Sequence, residues 1–167
     1  MTLEYFKEKR KEVIEELIDS SIGLEYLDIN DRTSAIIGSD FAILFQFGRG
    51  VTDITYLTED KENIIIEYPF NNFIVSSFDS NDREGIIQEN GLYENTLTDL
   101  KILIRGLNNH WKNILVGSKE WILQYGKSKY YYEPAPAKLS EGKVIQEILC
   151  NRRHVDKLNS GLDITQS

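Results

Sequence analysis

The chain has 167 residues, of which 41% are hydrophobic and 28% charged, a composition that fits one folded domain and excludes extensive disorder. Its one cysteine, Cys150, excludes an intramolecular disulfide. The formal net charge of −8 disfavours a nucleic-acid ligand, which is itself anionic.

Residues 3–18 have the pattern of an amphipathic helix. Thr2 is suited to cap its start, and Gly23 lies just past its end. Lysine and glutamate occupy the remaining positions, so a solvated outer face is expected. The apolar residues that share the inner face are Leu3, Phe6, Val13, Ile14, Leu17 and Ile18.

Residues 24–68 have the pattern of strands joined by short turns. Every second residue of 41–47 is a large apolar side chain. Residues 48–50, Gly-Arg-Gly, can adopt the positive φ angles of a tight hairpin. Short turns favour antiparallel pairing, so we predict a meander of four to six strands. Weaker strand candidates are residues 24–29, 33–37 and 73–78.

The second half of the chain is predicted to be helical. Residues 96–99, Thr-Leu-Thr-Asp, resemble a capping box with Asp in place of Glu. An apolar stripe with a helical period then continues to Leu115, and Gly117 is placed to end the helix. Trp111 lies within this stripe and is predicted to be core, whereas Trp121 lies beyond its end.

Residues 125–139 contain two prolines and are predicted to be extended. A last helix is expected to start near Ser140, and the polar residues 161–167 are expected to fray. No repeat or linker divides the chain. Residues 1–160 are therefore predicted to form a single α+β domain, with an antiparallel meander sheet packed against an N-terminal helix and two C-terminal helices.

The sequence contains no arrangement typical of a catalytic or metal site. His110 and His154 fall on the predicted helices without metal-ligand spacing, and His110 is expected to be a half-buried structural residue. Residues 79–90 lack the Gly and Glu that a calcium loop needs at its sixth and twelfth positions. Pro69 stands where a Glu67-x-Lys nuclease motif would need lysine. We therefore predict no catalytic residues, no metal and no cofactor.

Apolar runs such as 41–45 are far shorter than the roughly 20 residues that span a bilayer, and the charged N-terminus does not resemble a signal peptide. These features predict a cytoplasmic protein without a membrane partner. The basic residues Arg152, Arg153 and Lys157 lack interleaved aromatic rings, which argues against a nucleic-acid partner.

Three consecutive tyrosines, Tyr130 to Tyr132, stand in the proline-stiffened segment. Alternate side chains of an extended segment point to opposite sides, so at least one ring is predicted to be exposed. Rigidly held tyrosines are typical anchors of protein interfaces. The alternative is a strand packed over the last helix.

Acidic residues are concentrated in the first part of the chain, since residues 1–100 carry 21 acidic and 8 basic side chains, whereas residues 101–167 carry 6 and 11. Such a field would attract a cationic partner, although an acidic surface also simply favours solubility. The predicted partner-binding residues are Asp28, Asp31, Asp53, Glu59, Asp60, Glu62, Asp79, Asp82, Trp121, Tyr130, Tyr131 and Tyr132.

The order of these elements resembles that of small cytoplasmic immunity proteins encoded beside bacterial polymorphic and contact-dependent toxins. The resemblance covers about residues 1–125 and includes the amphipathic helix, the hairpin sequence FAILFQFGRGVTDITYL and a long helix running into HWKNILVGSKEW. It implies that the protein binds a cognate toxin, often a nuclease, and occludes its active site or substrate path without catalytic residues of its own.

The leading hypothesis is therefore a non-catalytic binding protein whose acidic part would speed association with a cationic toxin. Two alternatives stay open. One is an enzyme that uses carboxylates alone, with a divalent metal held by Asp79, Asp82 and Glu84. The other is a self-associating structural or regulatory subunit.

Overall fold

Six helices and six strands follow one another in the part of the chain that the computed structural model describes, residues 1–18, 23–69, 71–77, 91–137 and 141–152. The elements are α1 (Leu3–Glu15), β1 (Glu25–Asn30), β2 (Thr33–Ile37), β3 (Phe41–Gly48), β4 (Val51–Glu59), β5 (Ile65–Tyr68), α2 (Asn71–Val75), α3 (Leu92–His110), α4 (Lys112–Leu115), α5 (Glu120–Gly126), β6 (Ala135–Pro136) and α6 (141–152).

The strands form one antiparallel sheet in the order β1-β2-β3-β4-β5-β6. Short turns join β1 through β5, whereas helices α2 to α5 lie between β5 and β6. The predicted α+β fold is confirmed, with the sheet at the upper end of the expected strand number.

The β3–β4 hairpin is the turn that the sequence specifies most directly. Gly48 pairs with Val51, which leaves a two-residue turn with φ 52° at Arg49 and 83° at Gly50. Positive φ at both positions defines the turn type that matches the twist of antiparallel strands. The predicted tight hairpin is confirmed, and one of its two left-handed positions is occupied by Arg49, which is not a glycine.

Both faces of the sheet are buried. The first face carries the large alternate residues of 41–47 and packs mainly against α1, α3 and α5. The second face carries Ala42 and Leu44 and packs against Ile145 and Leu149 of α6. The sequence indicated only the first face as core, because the larger alternate residues of 41–47 lie on that face and the helix that covers the second face is distant in the chain.

Helix α1 is fastened to the β1–β2 turn by a buried arginine. Arg10 is 0% exposed, and its guanidinium donates to Asp28 Oδ1 at 2.5 Å, Asp31 O at 2.6 Å and Asn30 O at 2.8 Å. It also lies over the Phe47 ring, 4.8 Å from the centroid. The predicted start of α1 is confirmed, but the charged residue on its inner face was missed.

We expect Arg10→Met to lower the free energy of unfolding by about 2–4 kcal/mol, because Asp28 and two carbonyls lose their donor. Lys7→Met is the control, since Lys7 bonds to Asp31 at 3.1 Å on the exposed side of the same turn and should cost less than about 1 kcal/mol. Urea denaturation measures both values. An equal loss of unfolding free energy in the two variants would show that the burial of Arg10 adds nothing to the stability of the attachment.

The predicted capping box at Thr96 is wrong, because α3 begins at Leu92 and residues 96–99 lie inside it. Thr96 Oγ1 donates to Leu92 O at 2.7 Å. The buried Asp99 carboxylate accepts from Thr52 N at 2.8 Å, and Thr52 Oγ1 donates to Thr96 O at 3.3 Å. The two polar residues that imitate a cap therefore join α3 to the start of β4.

The predicted strand 73–78 is also wrong over its described part, which contains the end of α2. Phe73 of this helix packs on Trp111, with ring centroids 5.1 Å apart, and the Trp111 indole donates to Ser77 Oγ at 2.7 Å. Trp111 is half-buried and interrupts the predicted long helix between α3 and α4. Gly117, with φ 96°, ends α4 as expected.

The last predicted helix corresponds to α6. His154 and the tail 161–167 lie outside the described residues. Of the helices described, none is both long and apolar enough to cross a membrane.

Candidate partner-binding surface

The acidic candidates are divided between two ends of the sheet. In a meander, the β1–β2 and β3–β4 turns share one end, here called the β1–β2 end, and the β2–β3 and β4–β5 turns share the other, the β4–β5 end. Asp28, Asp31 and Asp53 lie toward the β1–β2 end, whereas Glu59, Asp60 and Glu62 lie at the β4–β5 end. The structure does not bring them onto one surface, and Asp79 and Asp82 lie outside the described residues.

At the β1–β2 end, two of the candidates are engaged within the chain. Asp28 accepts from the buried Arg10, and Asp31 accepts from Lys7 at 3.1 Å. The hydrogen bond to Asp31 raises the pKa of Lys7. Because their charges already stabilise the attachment of α1, Asp28 and Asp31 are poorer candidates for a partner than the sequence indicated.

At the β4–β5 end, a carboxylate sets the turn geometry. Asp60 Oδ1 accepts from Glu62 N at 2.8 Å and from Ile64 N at 3.0 Å. Asn63 has φ 63° and donates its N–H to Asp60 O at 3.1 Å. Asp60 therefore holds the turn, which presents the exposed side chains of Lys61 and Glu62 to solvent.

Asp40, in the β2–β3 turn, adds a further carboxylate at the same end. Its backbone carbonyl accepts from Thr58 Oγ1 at 2.9 Å, and its carboxylate pairs with Lys119 at 2.7 Å. The sequence did not single out this residue, because only the sheet topology places the β2–β3 turn beside the β4–β5 turn.

The tyrosine segment exposes two rings, those of Tyr131 and Tyr132, and the backbone of Tyr132 is fixed. Tyr132 is 72% exposed. The hydroxyl of the buried Tyr125 accepts from Tyr132 N at 2.9 Å and donates to Tyr132 O at 3.1 Å. One core side chain thus holds both backbone polar groups of Tyr132. The backbone at this residue therefore has little conformational entropy left to lose on binding.

The neighbouring tyrosines are more engaged with the protein itself. Tyr130 is half-buried, and Tyr131, although 47% exposed, has its ring 5.3 Å from that of Tyr125. Burial, together with Tyr131, raises the pKa of Tyr68. Tyr132 is therefore the strongest anchor candidate of the three.

Trp121 does not belong to a binding surface, which corrects its assignment as a partner-binding residue. It is 1% exposed and packs among Tyr56, Tyr68 and Tyr125, with ring centroids 4.8, 5.5 and 5.8 Å away. Its spacing of four residues from Tyr125 on one helix was the available signal. Leu123, between them, is 71% exposed on the outer face of α5 and was missed.

The described residues contain no group of three or more His, Cys, Asp or Glu side chains placed to hold a metal. Asp79, Asp82 and Glu84 of the metal hypothesis lie outside them. His110, expected to be half-buried, is exposed, as is Cys150.

Glu67 is a half-buried carboxyl group on β5. Burial, followed by repulsion from Glu141, raises its pKa above the usual value of 4.5. The folded state therefore binds this proton more tightly than the unfolded state. Stability should fall as pH rises from 4.5 through the raised pKa and remain lower above it.

We expect Glu67→Gln to increase the unfolding free energy at pH 7, where the native carboxylate is charged, and to leave it almost unchanged below pH 4. Thermal melts across this pH range measure the difference. Exposed Glu62→Gln is the control and should show no such pH-dependent gain. A gain that is equal at both pH values would point to packing rather than to charge.

Comparisons of the chain with protein-family models, with curated proteins and with solved structures gave no match. Two surfaces within the described residues are candidates for binding a partner: the turn at Asp60–Glu62 and the segment that carries Tyr132.

Proposed function

We propose that this protein is a non-catalytic, cytoplasmic binding protein, and specifically an immunity protein that binds and occludes a cognate bacterial toxin. The observation that carries the proposal is the presentation of Tyr132. A large amphipathic ring stands in solvent while its backbone is held by a buried hydroxyl, which is the arrangement of an interface anchor.

The charge of the chain supports a cationic partner, such as a nuclease domain. The net charge is −8, and the β4–β5 end presents Glu62 on a turn whose shape Asp60 holds. Complementary charge accelerates association, whereas a buried aromatic anchor slows dissociation. Tyr132 and the β4–β5 turn therefore have separable kinetic roles in this proposal.

The proposal is tested by co-purification from the native host, followed by kinetics with the toxin domain that is recovered. A stoichiometric complex in which the toxin loses activity is the expected result. If the toxin kept its full activity in the complex, occlusion would be contradicted, even if binding were tight.

For this complex we expect Tyr132→Ala to increase the dissociation rate about tenfold or more, as loss of an interface anchor does. Tyr5→Ala is the matched control, since Tyr5 is an exposed tyrosine on α1. Surface plasmon resonance measures both rates. An unchanged dissociation rate for Tyr132→Ala would place the anchor elsewhere.

We expect Glu62→Lys to slow association at low salt, with the difference shrinking as ionic strength rises. Asp53→Lys makes the same change in net charge near the opposite end of the sheet and should slow association less. Stopped-flow mixing at several salt concentrations measures both. Equal slowing would indicate a general effect of net charge and not a surface at the β4–β5 end.

A further inference from the structure

The two edges of the sheet differ in what they offer to another strand. One edge is β6, which has two residues and includes Pro136, so it provides few backbone donors. The other edge is β1, which has six residues without proline or glycine and, within the described ranges, pairs only with β2.

The hydrogen-bond alternation of β2 shows which groups of β1 face outward. Gly38 N donates to Phe41 O at 2.9 Å, and Phe47 N donates to Arg32 O at 2.8 Å. Even-numbered residues of β2 therefore bond to β3, and odd-numbered residues bond to β1.

Ile37 and Ala35, which are odd-numbered, stand opposite Glu25 and Leu27 of β1. Glu25 and Leu27 consequently direct their N–H and C=O groups toward β2. By the same alternation, the intervening Tyr26 and the following Asp28 direct theirs away from the sheet.

Acidic residues usually protect an edge strand from pairing with another copy, but those of β1 are already paired. Asp28 bonds to Arg10 at 2.5 Å, and Glu25 bonds to Arg152 at 2.6 Å. Two copies of this acidic chain would thus repel one another less along β1 than at the turns.

An apolar strip borders the same edge on the second face. Leu27 and Ile29 of β1 and Ile148 of α6 are only partly buried, although they pack against the second-face core. A twofold axis perpendicular to the sheet would place this strip beside its own copy and so extend that core across the axis.

We propose that two copies of this chain associate through β1 in an antiparallel pair, which forms a continuous sheet across a twofold axis. Tyr26 of each copy exchanges both backbone hydrogen bonds with Asp28 of the other, which gives four bonds, and the two Leu27 side chains meet at the axis. The bulge between Asp28 and Asn30 limits the regular pairing to this short stretch, so a weak, reversible dimer is expected.

This inference goes beyond the proposed function and does not depend on it. Pairing through β1 uses the edge opposite the segment that carries Tyr132, so both surfaces can be occupied together. Failure of one proposal leaves the other standing.

The test compares Tyr26→Pro with Tyr26→Ala by sedimentation velocity over a wide range of protein concentrations. Both variants lose the ring and its hydroxyl contact with Ser34, but only proline lacks the outward N–H. Proline is tolerated in an edge strand at such a position because that N–H bonds to nothing in β2.

Wild type and Tyr26→Ala should dimerise reversibly. Tyr26→Pro removes two of the four intermolecular bonds and should lower the association constant about tenfold or more. A chain that is monomeric at every concentration, or a dimer that Tyr26→Pro leaves intact, overturns the proposal.

Amide hydrogen exchange of the wild-type protein gives a second readout that needs no variant. Exchange at Tyr26 and Asp28 should slow as the protein concentration rises, whereas exchange at Leu27, which already bonds to β2, should not change. Concentration-independent exchange at Tyr26 and Asp28 overturns the proposal even if Tyr26→Pro fails to fold.

Discussion

Burial of both faces of one six-stranded sheet is the constraint on which the rest of this structure depends. Helices α1, α3 and α5 cover the first face, and α6 covers the second. A partner must then use the turns at the ends of the sheet, its edges or the outer sides of the helices. The sites considered for function, at Tyr132, at the β4–β5 turn and along β1, are all of these kinds.

The fold also uses charged and polar groups inside itself, which limits the functions available to them. Arg10 and Asp99 are buried, and each connects a helix to a strand or turn that is distant in the chain. A buried charge needs its partners, because an uncompensated one is costly. The acidic character of the chain therefore divides into carboxylates that hold the structure and carboxylates that face solvent.

The aromatic cluster connects the core with the surface. Trp121 and Tyr125 lie on the inner side of α5, and the Tyr125 hydroxyl reaches the backbone of Tyr132. Packing of the buried rings thus holds the backbone that carries the exposed ring. Such an anchor loses less entropy on binding than a tyrosine on a loop without this support.

The sequence by itself determined the elements whose causes are local. The cap at Thr2, the alternation in β3, the Gly-rich turn and the stop at Gly117 each depend on residues within a few positions, and the structure has all of them. Only the tertiary structure decided the rest. Thr96 and Asp99, which resemble a cap, instead link α3 to β4. Trp121 lies in the core, and Glu62 and Asp53 lie toward opposite ends of the sheet. These outcomes depend on contacts between residues far apart in the chain.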